Sequence, residues 1–351
     1  MVDHSLISYY TSFMANYIAF PSWISPTVFP SLPIRWYSLM YLVAFAITYL
    51  LVMLQRKKGK IEISNDDTLT LFLYAITGLI LGARLFSTLL YEGSSYYWMN
   101  PHLIFWPFRN GQFVGLPGMS YHGGLVGVVL AVALFAKRYR FKFLHLGDIL
   151  VTAIPLGYTF GRLGNFINGE LWGKVSTLPW AITFPLAQRF PESEEWVREI
   201  ARSIGLEYSS GALINLPRHP SQLYEALFEG IVLFLFLYFI IQPRRNRNGQ
   251  SVAWYLIGYG TARFFIEYLR EPDRQLGYIL GDGPTMLFTS LLNISMGQLL
   301  SFLMVAAGVG LLFFTRLFAV KNQEKAAQAA QAAAAAQAAA RNRKKRRKNT
   351  R

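Results

Sequence analysis

Hydrophobic positions along this chain fall into long blocks, not into the alternation of a half-buried strand. Seven blocks stand out, at about 36–54, 68–90, 121–136, 148–167, 223–241, 252–269 and 298–319. An α-helix needs roughly 17–25 apolar residues to cross the hydrocarbon core of a bilayer, and most of the blocks meet that length. The third is short for a span. The pattern predicts an all-α, polytopic membrane protein with about seven transmembrane helices.

The connections between blocks give an orientation. Arg56, Lys57, Lys58 and Lys60 follow the first block, and Lys137, Arg138, Arg140 and Lys142 follow the third. Arg244, Arg245 and Arg247 follow the fifth, and a basic tail follows the last. Short basic connections stay on the cytoplasmic side, so the chain is expected to run N-out and C-in. The outer connections differ in kind. Residues 91–120 carry Tyr96, Tyr97, Trp98, Trp106 and Phe108, aromatics favoured at headgroup level. Residues 171–222 are the longest, and Pro191 to Leu206 reads as a small amphipathic helix within a modest extramembrane cap. Residues 270–297 alternate glycines and Pro284 with apolar pieces suited to a membrane surface.

Composition agrees with the pattern. Of 351 residues, 53% are hydrophobic and 15% charged, where soluble domains carry roughly 25% charged residues. The net charge of +15 raises the question of nucleic acid, but its distribution answers it. Residues 321–351 hold ten Lys/Arg and one Glu, which leaves +6 for everything before them. The excess is a tail, Ala/Gln-rich and then basic, suited to solvent or anionic lipid, so no nucleic-acid partner is expected. There is no cysteine, hence no thiolate ligand or cysteine nucleophile in this chain. No metal-ligand spacing or phosphate-binding Gly-Lys-Ser/Thr loop is evident, and no cofactor is expected.

Polar groups in the apolar blocks are the candidates for chemistry. Gly161 to Gly173 (GRLGNFINGELWG) ends the fourth block and sets Arg162, Asn165, Asn168 and Glu170 where lipid should be. A charge there costs about 2.5–3.5 kcal/mol on insertion scales, so such groups face a protein interior or a watery cavity. On composition alone, a polar helix end with a Gly-rich exit remains an equal reading. Arg84 reads as a structural tie between helices. Glu225 and Glu229 lie one turn apart and are available as partners for the arginines. Tyr259, Arg263 and Glu267 follow an i, i+4, i+8 spacing along one face. His122 begins the third block on the outer side, beside Gly123 and Gly124, and histidine moves protons near neutral pH. If these groups meet, two arginines in an apolar cleft suit a phosphorylated amphiphile, because guanidinium matches phosphate oxygens with a planar fork of donors.

These residues resemble a known family. The stretch Gly161 to Gly173 is similar to the signature of the prolipoprotein diacylglyceryl transferases. The likeness extends through Arg35-Trp36-Tyr37, Gly118-Met119-Ser120-Tyr121-His122-Gly123-Gly124, Arg218-His219-Pro220-Ser221-Gln222-Leu223-Tyr224-Glu225 and Tyr259 to Glu267, Arg270 and Pro272-Asp273, closing at Ser295-Met296-Gly297-Gln298. The resemblance implies transfer of a diacylglyceryl group from phosphatidylglycerol to the lipobox cysteine thiol of a prolipoprotein, with release of glycerol 1-phosphate. Its partners would be phosphatidylglycerol, prolipoprotein signal peptides carrying that cysteine, and membrane lipids. It also implies a bacterial inner-membrane enzyme with its active site toward the periplasm. Residues 1–320 would then be a transmembrane catalytic domain with a periplasmic head insertion at 170–222, followed by a cytoplasmic tail at 321–351.

For that reaction His122 is the expected proton acceptor, assisted by Glu170 or a neighbouring tyrosine. Arg162 and Arg263 are expected to hold the phosphate. Tyr37, Asn165, Asn168, Tyr259, Glu267, Gly118 and Gly123 are expected to bind substrate. A transporter or flippase for an anionic amphiphile would share the buried arginines. It would more often show internal repeats and midplane polar sites, which are not evident here. The chain departs from the family pattern in a longer 270–297 connection, in its tail, and in Arg35 where a histidine is frequent.

Overall fold

A computed structural model describes residues 17–29, 35–59, 61–92, 95–109, 111–116, 118–272 and 277–319, with Gln328 and Gln331. The N-terminal stretch to Asn16, Lys60 of the first basic connection, Asp273 of the resembling blocks, and the remainder of the tail lie outside the described residues.

All seven apolar blocks are helical. They form α1 (Trp36–Lys57), α2 (Asn65–Tyr91), α3 (Tyr121–Arg138), the pair α4 (Phe143–Val151) and α5 (Ile154–Ile167), α7 (Ser221–Arg244), α8 (Gln250–Ile266) and α9 (Met296–Ala319). Between α5 and α7 a short α6 (Glu195–Ser203) realises the expected amphipathic helix, burying Val197 and Ala201. Among the described residues five helices are long and apolar enough to cross a membrane, or six if α4 and α5, bent by 50°, make one span. With 17 residues α8 is shorter than the other candidates, and α3 reaches 18.

Local chemistry marks the ends. Ser64 accepts from the Asp67 amide at 2.9 Å, and Asp66 and Asp67 complement the positive end of α2. Ser120 caps α3 through the Gly123 amide at 3.1 Å. Pro155 opens α5 just past the bend, where a missing N–H costs nothing. The buried Asp148 of α4 accepts from the amides of Gly249 and Val252 at 2.7 and 3.0 Å and so caps α8 from another helix. In α7 the turns widen to π-helical geometry over Ala226–Val232 and Phe236–Ile241.

Packing of α2 on α3 depends on the absence of side chains. A Cβ on Gly82 would lie 2.2 Å from the Gly123 carbonyl oxygen, and one on Gly127 would lie 2.0 Å from that of Gly78. The backbones touch across a Gly-x-x-x-Gly spacing on each helix, the arrangement that lets apolar helices associate where lipid removes the hydrophobic drive. Arg84, 1% exposed, donates to the carbonyls of Ile104 and Gly118 and ties α2 to the following connection.

Strands, absent from the sequence expectation, come among the described residues in four two-stranded pairs of two or three residues: β1 (Ile18–Ala19) with β4 (Ile182–Thr183), β2 (Phe108–Arg109) with β3 (Gln112–Phe113), β5 (Phe190–Pro191) with β6 (Leu213–Ile214), and β7 (Tyr278–Leu280) with β8 (Ile294–Ser295). Such lengths carry no readable alternation. Between α5 and α7, Val175, Phe190, Val197, Ala201, Ile214 and Leu216 form a small core. Arg218, fully buried beside it, pairs with Glu271 at 2.7 Å.

Candidate active site

The polar groups gather where α5 and α8 end and α1 and α7 begin. On α5, Arg162 and Asn165 are three residues apart and share a face. Arg162 Nη1 donates to Asn165 Oδ1 at 3.3 Å, and Asn165 Nδ2 donates to Glu170 Oε1 at 3.0 Å. Asn168 Nδ2 donates to the same oxygen at 3.2 Å. Glu170 can fold back in this way because Gly169 (φ 63°) and Leu171 (φ 59°) adopt left-handed backbone. For a leucine that conformation is costly, about 1–3 kcal/mol. The start of α7 holds the turn in place: Gln222 Nε2 donates to the Glu170 carbonyl at 2.6 Å and Ser221 Oγ to the Leu171 carbonyl at 2.9 Å.

One turn into α7 stand two buried carboxylates. Glu225 Oε2 is 2.8 Å from Arg162 Nε, and its Oε1 is 3.3 Å from Arg263 Nη1 and 3.8 Å from Arg270 Nη1. Glu229 Oε1 is 3.8 Å from Arg263 Nη1. Tyr158, one turn before Arg162, donates to Glu229 and lies 3.4 Å from Glu225 Oε2, while its hydroxyl accepts from Arg162 Nε at 2.6 Å. Glu267 Oε2 meets Arg263 Nη2 at 3.0 Å and Glu267 Oε1 accepts from Ser295 Oγ at 3.1 Å.

Exposure orders this cluster in depth. The side chains of Arg162, Arg263 and Arg270 are 15–18% exposed, and those of Glu225 and Glu229 at most 1%. Carboxylates are the more deeply buried partners and guanidiniums the more open ones, so the cations are held by neighbours and remain partly accessible. Such a surface fits an anion with several oxygens.

The remaining expected residues surround it. Tyr37 packs its backbone against Gly164, bonds Tyr41 at 2.9 Å and lies within electrostatic reach of Glu170 and Arg162. Tyr259 meets Tyr158 edge-on at 5.9 Å. His122 is exposed, with its Nδ1 3.1 Å from the Tyr91 hydroxyl. Among the described residues no hydrogen bond joins His122 to the arginines, and its ring meets that of its neighbour Tyr121 edge-on at 5.6 Å. The Gly118 carbonyl (φ 80°) receives Arg84 at 3.2 Å, and Gly123 lies in the α2–α3 contact.

Glu225 and Glu229 do partner the arginines, as their place in an apolar run suggests. Sequence reasoning passed over Tyr158, and it met Ser221, Gln222 and Arg270 only inside the resembling blocks, without a role for them. Tyr158 had one signal, its four-residue spacing from Arg162.

Outside the site, burial pushes His219 down to about 4, with the nearby Lys174 adding to the effect. Lys174 is itself lowered by burial to about 8 against the pull of Glu267 and Glu271, and its ammonium lies 5.2 Å from the centre of the Tyr278 ring.

The model of the prolipoprotein diacylglyceryl transferase family matches residues 26–314. A phosphatidylglycerol–prolipoprotein diacylglyceryl transferase of Treponema pallidum is 44% identical over 329 residues, covering 89% of this chain and 99% of the relative. Its counterpart in Treponema denticola is 46% identical over 330 residues, covering 88% and 97%. One from Chlorobaculum tepidum is 42% identical over 305 residues, covering 84% and 91%.

Proposed function

The chain belongs to the prolipoprotein diacylglyceryl transferase family, and from that premise we propose how its residues divide the work of moving a diacylglyceryl group from phosphatidylglycerol to a prolipoprotein. This is the first step of lipoprotein maturation. The acceptor is the lipobox cysteine thiol, so the sulfur comes from the substrate and the absence of cysteine in this chain is no obstacle.

The thiolate is the reactive form of the acceptor. His122 takes the thiol proton, with Tyr91 at 3.1 Å fixing the ring through Nδ1 and leaving Nε2 for the substrate. The sulfur attacks the glyceryl carbon that carries the phosphate ester. A C–S bond forms as the C–O bond breaks, and the electron pair leaves on the oxygen of glycerol 1-phosphate. Arg162 and Arg263 stabilise that developing charge. Tyr37, Asn165, Asn168 and Tyr259 order the headgroup, and Glu170 fixes both asparagine amides. Glu267 orients Arg263 from the far side. The proton held on His122 then passes to the leaving phosphate or to solvent.

What supports this reading is one relationship: guanidiniums from α5 and α8, distant in sequence, meet on a single buried carboxylate and stay partly exposed themselves. The polar groups cluster toward one end of the helices, which favours an enzyme opening to one side over a transporter. In the cell that side is the periplasmic face of the inner membrane, in keeping with the basic connections at the other end. The test is mass spectrometry of a lipobox peptide incubated with purified protein and phosphatidylglycerol. A diacylglyceryl mass gain that disappears when the peptide cysteine is serine supports transfer; its absence with active lipid and peptide would remove the proposal.

A further inference from the structure

Between Arg270 and α9 the chain makes an excursion that the reaction leaves unused. Tyr278 pairs with Ser295 and Leu280 with Ile294, so residues 277–295 form a hairpin. It is fastened to the body of the protein. Tyr268 donates to the Leu291 carbonyl at 2.9 Å, the Val175 amide to that of Met286 at 2.9 Å, and Met286 and Leu287 pack on the small core before α7. Inside it, Asn293 Nδ2 bonds the Asp282 carbonyl at 3.1 Å and Thr289 Oγ1 at 2.8 Å.

A segment so well anchored has no need to expose large apolar side chains, yet Leu280 is 61%, Leu291 65% and Leu292 78% exposed, with Ile279 and Phe288 beside them. Asp282 is the only ionisable acid or base between Gly277 and Ser295 apart from the Tyr278 phenol. Leu292 lies four residues before α9, whose first turns expose Leu299, Leu300, Phe302 and Leu303 in the manner of a lipid-facing helix. Exposed apolar side chains therefore lie on both sides of the short, mostly buried stretch Asn293–Ser295 that joins the hairpin to a helix long and apolar enough to cross a membrane.

We propose that residues 277–295 are a membrane-docking arm, with Leu280, Leu291 and Leu292 inserted into the lipid leaflet on the side of the arginine cluster. Its partner is the phospholipid surface itself. Having almost no charge, the arm binds by burial of apolar area, about 5–10 Å into the headgroup–acyl boundary. The Ser295 to Glu267 hydrogen bond connects its base to the site, which places those residues at headgroup level. The inference rests on α9 crossing the bilayer and not on the identity of the reaction.

Because the chain has no cysteine, Leu292→Cys and, on the polar side of α6, Ser203→Cys each give one unique thiol for an environment-sensitive fluorophore. The full chain is reconstituted into vesicles of phosphatidylcholine alone and of phosphatidylcholine with phosphatidylglycerol. The expected result is that a lipid-borne nitroxide quenches the probe at 292 strongly in both, while aqueous iodide quenches the probe at 203 and spares that at 292. Equal iodide quenching at the two positions would overturn the proposal, as would nitroxide quenching at 292 only in the anionic vesicles. If Leu292→Cys fails to give a monodisperse protein, Leu280→Cys serves with the same two outcomes. Loss of transferase activity alone bears on the reaction and leaves this reading untouched.

Discussion

Arg162 Nε lies 2.8 Å from Glu225 Oε2, an ion pair between two helices in which the carboxylate is buried and the cation partly open. The other oxygen of Glu225 faces Arg263, so one acid holds two cations in a fixed relative position. Glu225→Gln keeps the shape and removes the charge. Breaking a buried pair costs about 3–5 kcal/mol, with the lower end expected here because the guanidiniums retain contact with water and with other acids. The expected outcome is a lower melting temperature in detergent together with reduced transfer activity.

Arg162→Lys and Arg263→Lys keep a positive charge and lose the planar fork. Removing one donor to a developing anion commonly lowers turnover by about 10²–10³-fold, and each variant is expected to fall in that range in a phosphatidylglycerol–peptide assay. Parent-level turnover in both would end the phosphate-binding assignment.

His122→Gln tests proton transfer separately. A positioned general base contributes about 10²–10⁴-fold, and the loss should shrink as pH rises and the peptide thiol ionises without help. A variant whose pH–rate profile matches the parent would return the role of base to Glu170 or a tyrosine.

The α2–α3 contact predicts a purely structural defect. With 2.0 Å between a new Cβ at position 127 and the Gly78 oxygen, Gly127→Ala forces the backbones apart. Overpacking costs about 1–3 kcal/mol, readable as a lower melting temperature; Gly111→Ala, in open space, should give a smaller change set by its left-handed backbone.

Lys174 predicts a pH dependence. Its amine titrates at about 8 in the fold, below the ordinary 10.5. Between those values the unfolded chain binds a proton that the folded chain does not, so stability rises with pH across that window and is flat below it. Lys174→Met should flatten the alkaline part of the melting-temperature profile relative to the parent. His219, held at about 4, works in the acid range: stability falls as pH drops from the ordinary histidine value toward about 4.

The helices were legible because apolar blocks of this length have few other uses, and Glu225, Glu229, Arg162 and Arg263 were legible because charge inside such blocks needs a reason. Tyr158 was not, since a tyrosine within an apolar run looks like ordinary packing until its hydroxyl is seen between two glutamates and an arginine. The turn at Glu170 was hidden for a different reason. Gly169 gives only half of the signal, because the second left-handed residue is Leu171 where glycine would be usual, and the clamp that holds it, Ser221 and Gln222, lies some fifty positions away. The short strands left no trace in the pattern, as two or three residues are too few to show an alternation.

The widened turns of α7 give that helix a tolerance its neighbours lack. A π-type turn is an α-helix carrying a surplus residue without a change of phase beyond it. Losing one residue within Phe236–Ile241 would tighten the coil and leave Glu225 facing the arginines at one end and Gln242 against Gln55 at the other. The same deletion in the middle of the regular α1 would swing everything after it by about 100°. Natural variation in span length should therefore be absorbed in α7, where the site keeps its aim.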